Sequence, residues 1–145
     1  MSAKPGIANT AQAQTAALYA WVGAGSVAGG LTRYLVSIAL DTGAAFPWAT
    51  LFINATGSFI IGCYAALTGP DGRLLASARQ RQFVMTGFCG GYTTFSTFSL
   101  ETFRLFHGGD PYTALAYVGA SVVCWLASVW LGDMLAARLN RLRGS

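Results

Sequence analysis

Four polar side chains, Thr50, Asn54, Thr56 and Ser58, lie inside an otherwise apolar stretch of the chain. A second group follows in GGYTTFSTFSLE, from Gly90 to Glu101. Amides and hydroxyls in apolar surroundings cost free energy unless they are paired or face a polar path. A serine or threonine can bond back to a carbonyl of its own helix. Asn54 cannot satisfy its amide that way and needs a partner or ligand outside its helix. Gly90-Gly91 followed by Tyr92-Thr93-Thr94 has poor helix propensity, which predicts a break. A broken helix exposes carbonyl and N–H groups that can hold ions. After the break come Phe95 and Phe98, on one helical face. Aromatics at that spacing commonly pack a core, but their ring edges also carry partial positive charge. Ring edges beside Asn, Ser and Thr donors form an uncharged path for an anion. Such a path suits an anion that must bind and leave quickly, where a fixed Lys or Arg would hold it too tightly.

Other chemistries lack their residues. His107 is the only histidine, and the cysteines Cys63, Cys89 and Cys124 show no metal-ligand or disulfide spacing. They read as soft packing residues. No nucleophile–base pair can be assembled, so the chain reads as no enzyme.

The elements that position these residues follow from the scarcity of charge. The chain has 145 residues, of which 10% are charged and 54% hydrophobic, with a mean hydropathy of +0.49. A soluble domain carries about 25% charged residues. Residues 5–32, 42–70, 82–100 and 111–132 contain no Asp, Glu, Lys or Arg. A helix crossing a bilayer needs roughly 20 apolar residues. Four spans are expected, at about 17–39, 48–69, 83–106 and 112–135, in a single transmembrane domain. Pro47, Pro70 and Pro111 fall at the boundaries, where a missing backbone N–H costs least. A soluble four-helix bundle would need a charged stripe on each helix, and there is none. The first span could pass for a signal peptide, but three further spans favour a retained membrane protein. Gly25 with Gly29, and Gly87 with Gly91, form GxxxG pairs, which read best as close helix packing.

Charge also predicts orientation. Lys4, Arg73, Arg79, Arg81, Arg138, Arg141 and Arg143 share one side of a four-span protein. The other side has only Arg33 and Arg104, at span ends. The positive-inside rule puts both termini in the cytoplasm. The net charge of +4 is then a topology signal, not a sign of nucleic-acid binding.

Three stretches, GAGSVAGGLTRY, FPWATLFINATGSFIIG and GFCGGYTTFSTFSLE, resemble the CrcB/Fluc family of fluoride channels. The resemblance spans nearly the whole chain. It implies an all-α membrane protein with four transmembrane helices per subunit, the third broken. It also implies an antiparallel, dual-topology homodimer in the bilayer of the bacterial inner membrane. The implied activity is passive export of cytoplasmic fluoride, which confers fluoride resistance, with a structural sodium ion (Na+) at the dimer centre.

Residue by residue, the resemblance makes Asn54 the pore asparagine and Phe95 and Phe98 the paired pore phenylalanines. Ser96 and Thr97 match the hydroxyl track beside them. Thr50 and Glu101 look like further pore-lining positions, with Glu101 near one mouth. Tyr117 and Ser121 would extend the polar track on the fourth span. Arg33 resembles the vestibule arginine. Gly90 and Thr93 match the break whose backbone carbonyls hold sodium.

Two other readings stay open. A small multidrug exporter is also a four-span antiparallel dimer, but it needs a carboxylate in its first span, and residues 17–39 have none. A non-transporting membrane assembly protein would explain the glycines but not Asn54 beside a Phe–Ser–Thr–Phe track. The one-sided charge also sits awkwardly with a chain that must insert both ways. An oppositely biased paralogue would be the alternative partner.

Overall fold

The computed structural model describes residues 5–142, and every regular element among them is helical. Lys4 and Arg143, counted above for orientation, lie outside the described residues. Helix α1 runs Pro5–Ala39, α2 Trp48–Leu67 and α6 Pro111–Arg141. Between α2 and α6 the chain forms α3 (Ala78–Arg81), π-helical turns at Gln82–Cys89, α4 (Gly90–Tyr92) and α5 (Phe95–His107). As continuous helices, α2 and α6 are each long and apolar enough to cross a bilayer. The break leaves α5 only 13 residues long.

Helix α1 begins a dozen residues before the expected span. Residues 6–16 hold no proline, and alanine and glutamine there favour helix. The third helical region starts at Ala78, ahead of the expected 83. Ser77 builds a capping box there: its hydroxyl accepts from the Gln80 amide, and the Gln80 side chain accepts from the Ser77 amide. The break falls where the glycines predict it. Thr93 and Thr94 are extended, with ψ of 161° and 121°.

The subunit packs as two glycine-seamed pairs. α1 lies against the π-helical turns and α4, and α2 lies against α6. At the first seam, a Cβ built on Gly87 would sit 2.7 Å from the Val22 carbonyl and 2.9 Å from the Gly25 Cα. The two GxxxG pairs therefore meet each other, as small residues do in membrane helices. At the second seam, Gly62 abuts the Val129 carbonyl and Gly132 the Phe59 carbonyl. α2 and α6 run in the same direction. Outward faces are apolar: Val27, Leu31, Leu35 and Ile38 on α1, and Val123, Leu126 and Trp130 on α6, are exposed. This surface suits lipid.

The two ends are tied separately. At the basic end the Asn140 amide donates to the Ala66 carbonyl (3.1 Å) and accepts from the Arg73 N–H (3.1 Å). Arg81 donates to the Thr68 carbonyl. At the other end Gly109 takes φ of +88°, a turn conformation that favours glycine. Asp110 then caps α6, accepting from the Thr113 amide at 3.1 Å. Hydrogen bonds from the Thr113 side chain and then its backbone hold the Asp110 carboxyl below the ordinary carboxylate range. A lowered folded pKa stabilises the fold above that range, and the stabilisation is lost as pH falls through the folded value. Asp110→Ala should therefore lower the unfolding temperature in detergent near pH 7. The gap from the parent should close on acidification below about pH 4.

Candidate functional site

The predicted residues gather around α5 and the faces of α2 and α6 beside it. The break is held from α2. The Asn54 Nδ2 donates to the Thr94 carbonyl (2.9 Å), and the Thr94 N–H donates to Asn54 Oδ1 (2.8 Å). Asn54 is 5% exposed. Its amide thus finds the partner its own helix denies it. One Nδ2 hydrogen remains beyond this clamp.

The clamp has a consequence for the break's carbonyls. In a continuous helix the Thr94 amide would close on Gly90. It goes to Asn54 instead, which releases the Gly90 carbonyl from that bond. The Thr97 amide would likewise close on Thr93. It turns to the Thr94 hydroxyl at 3.1 Å, which caps α5. The Thr93 carbonyl accepts from the Arg33 guanidinium at 3.1 Å. Gly90 is exposed, with open space beside its Cα.

Two hollows flank a buried middle. One, of about 300 Å³, is lined by Asn54, Ser58, Gly90, Thr93, Phe95 and Trp125, among others. The other, of about 590 Å³, is lined by Thr50, Thr97, Glu101, Arg104, Asp41 and neighbouring loop residues. In it the Thr50 hydroxyl donates to Glu101 Oε1 (2.8 Å), and the Tyr117 hydroxyl donates to Oε2 (2.7 Å). Phe98, Tyr117 and Ser121 are buried between the hollows. The Phe98 ring centroid lies 5.6 Å from that of Phe95, 5.2 Å from Tyr117 and 4.9 Å from Trp125.

Thr50, Asn54 and Ser58 recur every fourth residue on α2, and Tyr117, Ser121 and Trp125 do so on α6. Each step climbs about 6 Å. Two polar stripes therefore rise beside Phe98, and the Glu101 carboxylate bridges them at their Thr50 and Tyr117 ends. Phe95 is exposed at the rim of the smaller hollow, and Ser96 and Thr97 are exposed on α5. Arg33 does not join the larger hollow. It reaches the break, and Arg104 lines the hollow instead.

Sequence reasoning passed over Thr94 and Trp125. A threonine directly before a helix that follows a break is a capping signal, and it was available in TTFST. Trp125 offered none, since a tryptophan in a span reads as lipid-facing.

The family model described as "CrcB-like protein, Camphor Resistance (CrcB)" matches residues 20–133. The chain belongs to the CrcB family. Curated CrcB relatives cover nearly all of it. One from Bradyrhizobium diazoefficiens, named fluoride-specific ion channel FluC 1, is 76% identical over 91% of this chain and 93% of its own length. One of the same name from Rhodopseudomonas palustris is 64% identical over 90% of this chain and 94% of its own. The FluC of Rhodospirillum rubrum is 50% identical over 84% and 96%. The CrcB family thus accounts for the all-helical, lipid-suited exterior of an integral membrane protein. The chain is not an enzyme, as the absence of a nucleophile–base pair led us to expect.

Proposed function

We propose that this chain is a fluoride-selective channel that drains fluoride passively from the cytoplasm across the bacterial inner membrane and so confers fluoride resistance. The observation that carries this reading is the 76% identity to a protein named a fluoride-specific ion channel. The uncharged stripes Thr50–Asn54–Ser58 and Tyr117–Ser121–Trp125 support it physically. Fluoride is small and strongly hydrated, so a pore must replace its water with close donors. The free Asn54 N–H, the hydroxyls and the Phe95 and Phe98 ring edges are such donors. A larger anion fits poorly among them.

The working unit of this proposal is an antiparallel homodimer. One subunit offers two hollows with a buried middle, and its α5 face, with Phe95, Leu100, Phe103 and Phe106 exposed, has no cover. A second copy would cover that face and complete the paths. Structural sodium belongs to the same proposal. The Gly90 carbonyl is released from its helical bond by the break, and the Thr93 carbonyl keeps a second lone pair beside its bond from Arg33; hard, neutral oxygens of this kind suit Na+. Two from each copy would make a symmetric site. The ion would supply fixed positive charge at the centre of the dimer.

Bacteria lacking their own fluoride exporter should grow on fluoride medium when they produce this chain. They should fail when they produce the Phe95→Ile variant at equal membrane levels. Equal growth with both would contradict the assignment of Phe95. Accessibility labelling of cysteines placed at the termini, on intact cells, tests the dimer. Labelling from both sides is expected. Termini found on one side only would exclude the homodimer and point to a paralogous partner.

A further inference from the structure

Helix α2 covers 20 residues from Trp48 to Leu67, about 30 Å at 1.5 Å per residue, the thickness of a bilayer's hydrocarbon core. Its two ends therefore mark the two membrane surfaces. Trp48 and Tyr112, both exposed, stand at one of them, as interfacial aromatics do. The other surface lies at Thr68, and the chain gathers its arginines there. Arg81 donates to the Thr68 carbonyl. The Leu74 amide donates to the Leu67 carbonyl at 2.9 Å, which folds the following loop back over the helix end. Asn140 reaches the Ala66 carbonyl at 3.1 Å, which brings the last turn of α6 to the same depth. On α1, exposed Tyr19 and Trp21 mark this level too. The Trp21 ring meets the Phe83 ring edge-on at 5.8 Å, one turn after Arg79.

The side chains at this end suit a charged interface. Arg79, Arg138 and Arg141 are exposed. Arg141 commits only its Nε, to the Ala137 carbonyl at 3.4 Å. Among the described residues, Asp71 and Asp133 are the acidic groups near them, against five arginines. Between the arginines Leu74 is exposed, and Leu75 is exposed over its whole side chain. Leucines held in water forgo the gain of burial. At a membrane surface the same leucines enter the acyl boundary while guanidinium groups stay with the phosphates. Sidedness of insertion asks only for positive charge on one side. It does not ask for a folded loop that holds two leucines outward.

We propose that Arg79, Arg138 and Arg141, with Leu74 and Leu75 as apolar anchors, form a docking surface for anionic phospholipid headgroups. Guanidinium N–H groups pair with phosphate oxygens in a fork geometry. A zwitterionic headgroup carries its own cation and offers no net charge to the surface. Arg81 and the Arg73 amide have a different part: their bonds to Thr68 and Asn140 hold the loop in place. The proposal is independent of which ion the chain conducts.

The purified full chain in neutral detergent is the sample, and phosphatidylglycerol titrated into the micelles is the probe. The readout is the unfolding temperature, which a ligand held by the folded state raises. Phosphatidylglycerol should raise it and phosphatidylcholine should not. The rise should shrink as salt goes from about 0.1 to about 1 M. A variant carrying Arg79→Gln, Arg138→Gln and Arg141→Gln should unfold as the parent does without lipid. It should need at least about tenfold more phosphatidylglycerol for half the rise, since each arginine at an anionic surface contributes roughly fivefold. Leu75→Ser should weaken the same response with every arginine in place. An equal response to both lipids, a rise insensitive to salt, or an unchanged titration in either variant would overturn the proposal. So would an equal rise with inorganic phosphate at matched concentration, which would make the surface a site for free phosphate. If the triple variant fails to assemble, Leu75→Ser and the salt series decide by the same criteria.

Discussion

Replacing Asn54 with aspartate is expected to abolish fluoride flux while leaving an assembled protein. Two effects act together. Asparagine both donates to and accepts from the Thr94 backbone, at 2.9 and 2.8 Å. An ionised aspartate keeps the second bond and loses the first, and it sets an anionic oxygen against the Thr94 carbonyl. A buried acceptor left without its donor costs about 1–3 kcal/mol, enough to loosen the break but not to unfold the chain. The electrostatic effect is larger. A carboxylate 4 Å from a passing anion repels it by roughly 4 kcal/mol in a partly screened site. That is about three orders of magnitude in occupancy. Fluoride-electrode recordings and the elution position in detergent give the two readouts. Parental flux through Asn54→Asp would remove Asn54 from the path.

The second large effect concerns assembly. A Cβ at Gly29 would overlap the Phe88 carbonyl and sit 2.7 Å from the Tyr92 amide nitrogen. Both are backbone atoms, which cannot swing aside as a side-chain tip can. Gly29→Val must therefore push α1 away from the π-helical turns and α4. Overpacking of this kind costs about 1–3 kcal/mol or more. The displaced segment leads straight into Thr93 and Thr94, so the Asn54 clamp would move with it. A sharp fall in monodisperse yield, a lower unfolding temperature and loss of flux are expected. Gly30→Ala is the control, since nothing lies within 4 Å of a Cβ there. Equal yields of the two variants would mean that the glycine seam does not hold the subunit together.

Much of this was legible in the residues. The uncharged runs located all four helical regions, because burying a charge in hydrocarbon is too costly to leave unmarked. Gly90-Gly91 before two threonines located the break. Asn54 stood out because a helix cannot satisfy a side-chain amide internally. What the residues withheld was the identity of partners. That Asn54 clamps Thr94, and so frees the Gly90 carbonyl, depends on how α2 meets the break. The resemblance marked Arg33 as a vestibule arginine, but the residues gave no sign that its guanidinium bonds the Thr93 carbonyl. The start of α1 at Pro5 was missed because the charge count marks where lipid could begin, not where helix begins. The π-helical turns at Gln82–Cys89 left no sign in composition. Trp125 was invisible as a donor because only packing reveals that its N–H has no partner.

Anion efflux from liposomes containing the purified chain tests the central claim most directly. Vesicles loaded with fluoride and chloride, made with and without the protein, would be followed with electrodes for both ions. Rapid fluoride loss through the protein, with chloride retained, is the result the account predicts. Fluoride loss no faster than from protein-free vesicles, or chloride leaving alongside it, would contradict a fluoride-selective channel.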